Sequence, residues 1–95
     1  MPFAAVVSVR LDRAADAAHR LDILRQFVLP PLEALPGFRR VSFMTDARTG
    51  TGFSVAEFDT EEQARHALGI LAPDNGPEVL EAHVCAVELD AGHHT

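Results

Sequence analysis

Apolar and polar residues alternate cleanly from Phe3 to Leu11, with Phe3, Ala5, Val7, Val9 and Leu11 on one side and Ala4, Val6, Ser8 and Arg10 on the other. A period of two carried by β-branched residues predicts a strand. The period then lengthens. Ala17, Leu21, Leu24 and Val28 recur at helical spacing, flanked by Ile23 and Phe27. Asp12 or Asp16 supplies the carboxylate that accepts the first unpartnered N–H groups of that helix. Pro30-Pro31 is expected to kink or break it, because proline lacks the N–H and its ring crowds the preceding turn. Leu32 and Leu35 then make one more turn before Pro36-Gly37 ends the helical stretch.

Alternation returns over residues 38–45 and again over 53–59. The polar, glycine-bearing connection from Asp46 to Gly52 suits a hairpin. Thr60-Glu61-Glu62-Gln63 fits a capping box, with Thr60 bonding forward and Gln63 reaching back. It opens a helix over 61–71 that turns Ala64, Ala67, Leu68 and Leu71 inward. A loop over 73–77 and a last strand over 79–89 follow, and 91–95 form a tail expected to be mobile. The order strand–helix–strand–strand–helix–strand makes residues 1–90 a single α+β domain. It predicts a ferredoxin-like βαββαβ fold, a four-stranded antiparallel sheet with two helices on one face. The opposite face is left bare, so a second copy of the chain is the expected partner.

Sorting the strands by parity places Val7, Val9, Val41, Phe43, Phe58, His83, Cys85, Val87 and Leu89 toward the helices. The bare face then carries Val6, Ser8, Arg10, Arg40, Ser42, Val55, Glu57, Val84, Ala86 and Glu88. A slip of one residue reverses any strand.

Composition narrows the partners. Eight arginines and no lysine stand against fourteen acids, for a formal charge of −6, and no basic stripe is available for a phosphate backbone. Nucleic acid is therefore not an expected partner. No apolar run approaches the ~18 residues of a membrane span. The start, Met1-Pro2-Phe3-Ala4, lacks the basic region and cleavage site of a signal peptide, so the cytoplasm is the expected compartment. Cys85 is the only cysteine, which excludes an intrachain disulfide and a cysteine-cluster metal site.

The run Pro36-Gly37-Phe38-x-x-Val41-Ser42, the loop Asp46-x-Arg48-x-Gly50-x-Gly52 and the stretch Phe58-Asp59-Thr60-Glu61-Glu62 resemble the antibiotic biosynthesis monooxygenase-like proteins of the dimeric α+β barrel superfamily. The resemblance spans the chain in element order and is sharpest from Pro36 to about Ala64. It implies a homodimer whose two sheets close a barrel, with a pocket between each subunit's helices and sheet. Relatives include cofactor-free oxygenases of aromatic polyketides and haem-degrading enzymes. The oxygenases use tryptophan, tyrosine, asparagine and arginine around an aromatic substrate. This chain has no tryptophan or tyrosine, one asparagine (Asn75) in a loop, and Phe58 where relatives often carry a tryptophan. His66 lies about one turn before the axial histidine of the haem degraders. Neither active site carries over directly.

Candidate chemistry therefore comes from the residues themselves. His83 and Cys85 share one face of the last strand, and on the parity assignment they join Phe27, Phe43 and Phe58 around a pocket for an apolar compound. His83 is then the candidate base, with no metal, flavin or other cofactor called for. The structural alternative is a buried histidine beside a small apolar cysteine. His66, four residues after Glu62, reads as a second acid–base candidate or as an exposed ion pair. Arg10, Arg40, Glu57 and Glu88 form a polar cluster on the bare face, either as ion pairs lining a barrel or as a site for a small anion. Three functions stay open: a cofactor-independent monooxygenase, a non-catalytic small-molecule-binding or structural protein, and a haem-binding relative.

Overall fold

The computed structural model describes residues 1–12 and 16–92. Strands β1 (Phe3–Arg10), β2 (Phe38–Asp46), β3 (Thr51–Phe58) and β4 (Val79–Ala86) form one antiparallel sheet in the order β2-β3-β1-β4. Between β1 and β2 the chain runs through helix α1 (Ala17–Ile23), a π-helical segment (Leu24–Val28) and helix α2 (Leu29–Glu33); α3 (Glu61–Leu71) joins β3 to β4. This is the expected ferredoxin-like topology. Of the expected tail, residues 91 and 92 are exposed without regular structure, and 93–95 lie outside the described residues.

Local chemistry accounts for the element ends. Asp16 caps α1 by accepting the Ala18 N–H at 3.1 Å. Thr60 and Gln63 form the full capping box of α3, at 3.3 Å from the Gln63 N–H to Thr60 Oγ1 and 3.1 Å from the Thr60 N–H to Gln63 Oε1. In the β2–β3 hairpin the Asp46 carboxylate accepts the N–H groups of Arg48 and Thr49, and Gly50 closes the turn at φ 69°. Gly37 sits at φ 77° with Gln63 where a Cβ would be, so no larger residue fits there without displacing the cap.

Pro30-Pro31 acts differently from a break. The helical path continues through both prolines, and the turn before them widens, with the Leu29 N–H donating to the Leu24 carbonyl five residues back. Neither proline has an N–H for the carbonyls of Gln26 and Phe27, and the Pro30 ring would crowd a carbonyl held in α register. A wider turn relieves both problems.

The core lies at one end of the helix-facing side. Ala5, Val7, Leu32, Ala56, Phe58, Ala64, Ala67 and Leu71 are buried together. Phe58 has no exposure and packs edge-on against Phe38, with ring centroids 5.8 Å apart. The small alanines of α3 let that helix settle directly on the sheet.

Strand pairing corrects the parity assignment for β4. Ala5 stands opposite Val84 and Phe3 opposite Ala86, whereas Ala4 and Val6 stand opposite Cys85 and His83. Val84 and Ala86 therefore take the helix side, and Val84 packs against the core. His83 and Cys85 lie on the bare face, in rows running Ser42–Val55–Val6–His83 and Arg40–Glu57–Ala4–Cys85. Taken to Leu89, both alternating sets of the expected strand mix apolar with polar residues, but within Val79–Ala86 the set Leu80, Ala82, Val84 and Ala86 is wholly apolar. Pairing with β1, with a bulge at Ser8/Val9, makes the choice.

Candidate functional site

At the end of the sheet away from the core, the helix-facing positions of β3 are small. Gly52 stands beside Val9 and Ser54 beside Val7. Above them no residue of α1 or of the π-helical segment is buried. Together these leave a cavity of about 950 Å³ between helices and sheet, the size that holds a drug-sized molecule. Val9, Gly52 and Ser54 contribute to its floor, Leu21, Leu24, Phe27 and Val28 come from the first helical stretch, and Gly69 and Ile70 from α3. The loop after α3 adds Pro73, Asn75 and Pro77. A second hollow of about 180 Å³ adjoins it, sharing Leu21, Leu24 and Phe43 and adding Arg25, Leu29 and Val41.

The lining is mostly apolar. Its polar side chains are Thr45, Ser54 and Asn75, and the single charged one is Arg20. Among the described residues none of the lining groups is a histidine, cysteine, aspartate, glutamate or tyrosine. Such a wall can desolvate and orient an apolar body; it holds no group that accepts a proton near neutral pH.

The sequence-derived candidates divide accordingly. Phe27 and Phe43 line the cavity. Phe58 is sealed in the core and does not reach it. His83 and Cys85 are exposed on the opposite face of the sheet, where His83 Nε2 lies 3.8 Å from Glu81. His66 is exposed on α3 and contributes nothing to the lining. The residues that parity reasoning passed over are Arg20, Gly52 and Gly69. Ser54 did leave a sign, since a small residue at a helix-facing strand position marks a place where layers meet less closely, whereas the space over Gly52 is taken by Leu11 and Val9.

The polar cluster of the bare face also rearranges. Arg40 pairs with Glu57 at 2.8 Å and also with Asp90, which comes from the segment beyond β4. Glu88 is exposed outside that grouping, and Arg10 turns away to pair with Glu78 at 2.6 Å in solvent. The Val87 N–H donates to the Pro2 carbonyl, which continues the pairing with β1 past Ala86, and beyond it Asp90 rather than Glu88 meets Arg40. A shared hydrogen bond with the Glu57 carboxyl, and then the Arg40 guanidinium, hold Asp90 below the ordinary carboxylate range. Glu57 is buried, and its Oε1 is the one buried side-chain oxygen or nitrogen among the described residues with no hydrogen-bond partner.

No known family profile matches the chain, and no curated protein matches it in sequence. Solved structures do match. Rv0793 of Mycobacterium tuberculosis superposes with a TM-score of 0.62 at 18% identity, covering 98% of this chain and 100% of its own. The heme-degrading protein Rv3592 of the same organism, in a heme-free form, gives 0.65 at 18% identity over 97% and 100%. A dimeric ferredoxin-like protein of unknown function from Thermobifida fusca gives 0.50 at 19% over 88% and 87%. At these identities the likeness is one of fold. No described helix is long and apolar enough to cross a membrane.

Proposed function

We propose that the chain is a homodimeric α+β barrel protein of the antibiotic biosynthesis monooxygenase-like type that binds a largely apolar small molecule between its helices and sheet. The observation carrying this is the cavity itself, large, apolar and bordered by Gly69, beyond whose Cβ position there is open space. Dimerisation draws support from the bare face. Met44 and Phe53 stand opposite each other there, 49% and 38% exposed. The Thermobifida neighbour is itself dimeric.

The lining favours binding over acid–base chemistry. Cofactor-independent oxygenation begins by removing a proton from the substrate, and His83, the base expected for it, lies across the sheet from the cavity. Haem binding of the kind the Rv3592 name suggests meets the same obstacle, because His66 and His83 both lie outside the lining. An oxygenase reading remains for a substrate acidic enough to ionise unaided, with Arg20 stabilising the anion.

Two measurements test the proposal. Titration with the neutral fluorophore N-phenyl-1-naphthylamine should give saturable emission with one site per protomer, and light scattering should report about twice the 10.3 kDa chain mass. Absence of saturable binding would remove the cavity reading, and a monomeric mass would remove the dimer.

A further inference from the structure

We propose that α1 and the π-helical segment form a lid, hinged ahead of Pro30-Pro31, that stands open in the free protein and closes on a bound apolar molecule through Phe27. This rests on the cavity reading above and adds how the ligand is enclosed.

The inference starts from an amphipathic helix that buries nothing. Ala17, Leu21, Leu24, Phe27 and Val28 recur at helical spacing, with Ile23 at the border of their face. A stripe of that kind ordinarily lies against a core. Here all six line the cavity, no residue of α1 or of the π-helical segment is buried, and Phe27 is 69% exposed. The next turn behaves differently, since Leu32 of α2 is wholly buried in the core. An anchored helix in this fold looks like α3, which packs on β1, β3 and β4 and buries Ala64, Ala67 and Leu71. By contrast α1 packs chiefly on the π-helical segment, and that segment on α1 and α2. The stretch is therefore fixed at its α2 end and weakly held ahead of it, and a segment with so little buried surface opens at low cost. The second copy expected on the bare face lies across the sheet and does not cover this stripe.

A hinge lies where the weakly held arm meets the anchored turn. The Leu29 N–H reaches back five residues to the Leu24 carbonyl, and Pro30 and Pro31 offer no N–H to the carbonyls of Gln26 and Phe27. The hydrogen-bond ladder is thin at that point, and wide turns and prolines are where helices bend. The arm from Ala17 to Val28 is about 18 Å long, so a bend of about 15° carries its far end about 5 Å. A bend toward the floor at Val9 and Ser54 narrows the cavity and brings the apolar stripe onto whatever fills it. Phe27 sits next to the hinge and has the most surface to gain.

Amide hydrogen exchange, read residue by residue by NMR with and without saturating N-phenyl-1-naphthylamine, tests the lid. In the free protein the amides of 17–28 should exchange about tenfold or more faster than those of 61–71, with the change from fast to slow falling between Val28 and Leu32. The probe should slow 17–28 by about tenfold or more. Equal protection of the two helices without the probe would mean that the first is already anchored, and would overturn the open lid. Exchange in 17–28 that the probe leaves unchanged would overturn closure. Phe27→Ala supplies an independent reading. It should leave the thermal midpoint of the ligand-free protein unchanged and weaken the probe about tenfold or more, as expected for a large apolar side chain buried only in the complex. A lowered midpoint would show the ring packed before any ligand arrives, and an unchanged affinity would show that nothing closes through it; either result overturns the proposal. Failure of the probe to bind the unaltered protein would instead strike the cavity reading beneath it.

Discussion

Gly69→Leu should make the protein more stable and less able to bind. Gly69 lies in the last turn of α3, and a Cβ built on it meets no atom within 4 Å, because it borders the cavity. Replacing glycine by leucine inside a helix gains roughly 0.5–1 kcal/mol from backbone entropy alone. The leucine side chain also leaves water for a wall of Leu21, Leu24 and Ile70. Full burial would add about 1.5–3 kcal/mol, and at a cavity wall that stays partly open to solvent about a third of that is realised. The sum is about 1–2 kcal/mol, which for a domain of this length raises the thermal midpoint by ~4 °C or more. Thermal unfolding followed by circular dichroism measures the first effect, and titration with N-phenyl-1-naphthylamine measures the second. A gain in stability with a loss of affinity is the signature of volume kept empty for a ligand. A lower midpoint would mean that the helix and sheet already meet around Gly69. An unchanged affinity would mean that the probe sits somewhere else.

Other changes probe the frame around the cavity. Thr60→Ala should cost about 1 kcal/mol by removing one half of the α3 capping box; a denaturation midpoint equal to that of the unaltered protein would show Asp59 capping in its place. Phe58→Ala should cost about 3–5 kcal/mol, since the ring is wholly buried against Phe38, and chemical denaturation showing under 1 kcal/mol would contradict the assigned core. Asp90 is held below its ordinary range by Glu57 and Arg40, so its contact contributes stability above that range and loses it as pH falls through the lowered value. Asp90→Asn should therefore be less stable than the unaltered protein at neutral pH, with the gap closing in acid; parallel pH profiles would show that the contact contributes nothing.

The chain's own patterning was sufficient for the element order. Period two in β1, the capping box at Thr60 and the Asp46–Gly52 hairpin depend on residues within a few positions of one another, and the structure forms each of them where local chemistry directs. The face of β4 was a different kind of question. Read on to Leu89, its alternating sets look nearly equivalent in polarity; the strand ends at Ala86, and within it pairing with β1 puts the apolar Ala82, Val84 and Ala86 on the helix side and carries His83 and Cys85 away from the helices. Glu88 and Asp90 likewise have similar chemistry and the same parity; only the path of the chain past Pro2 decides which of them meets Arg40. The cavity is the extreme case. It lies beside Gly69, beyond whose Cβ position no atom sits within 4 Å, and against the π-helical segment ahead of two prolines. A sequence records each of these singly, but empty space exists only where three separate segments fail to touch. That is a property of packing, and the tertiary structure alone determines it.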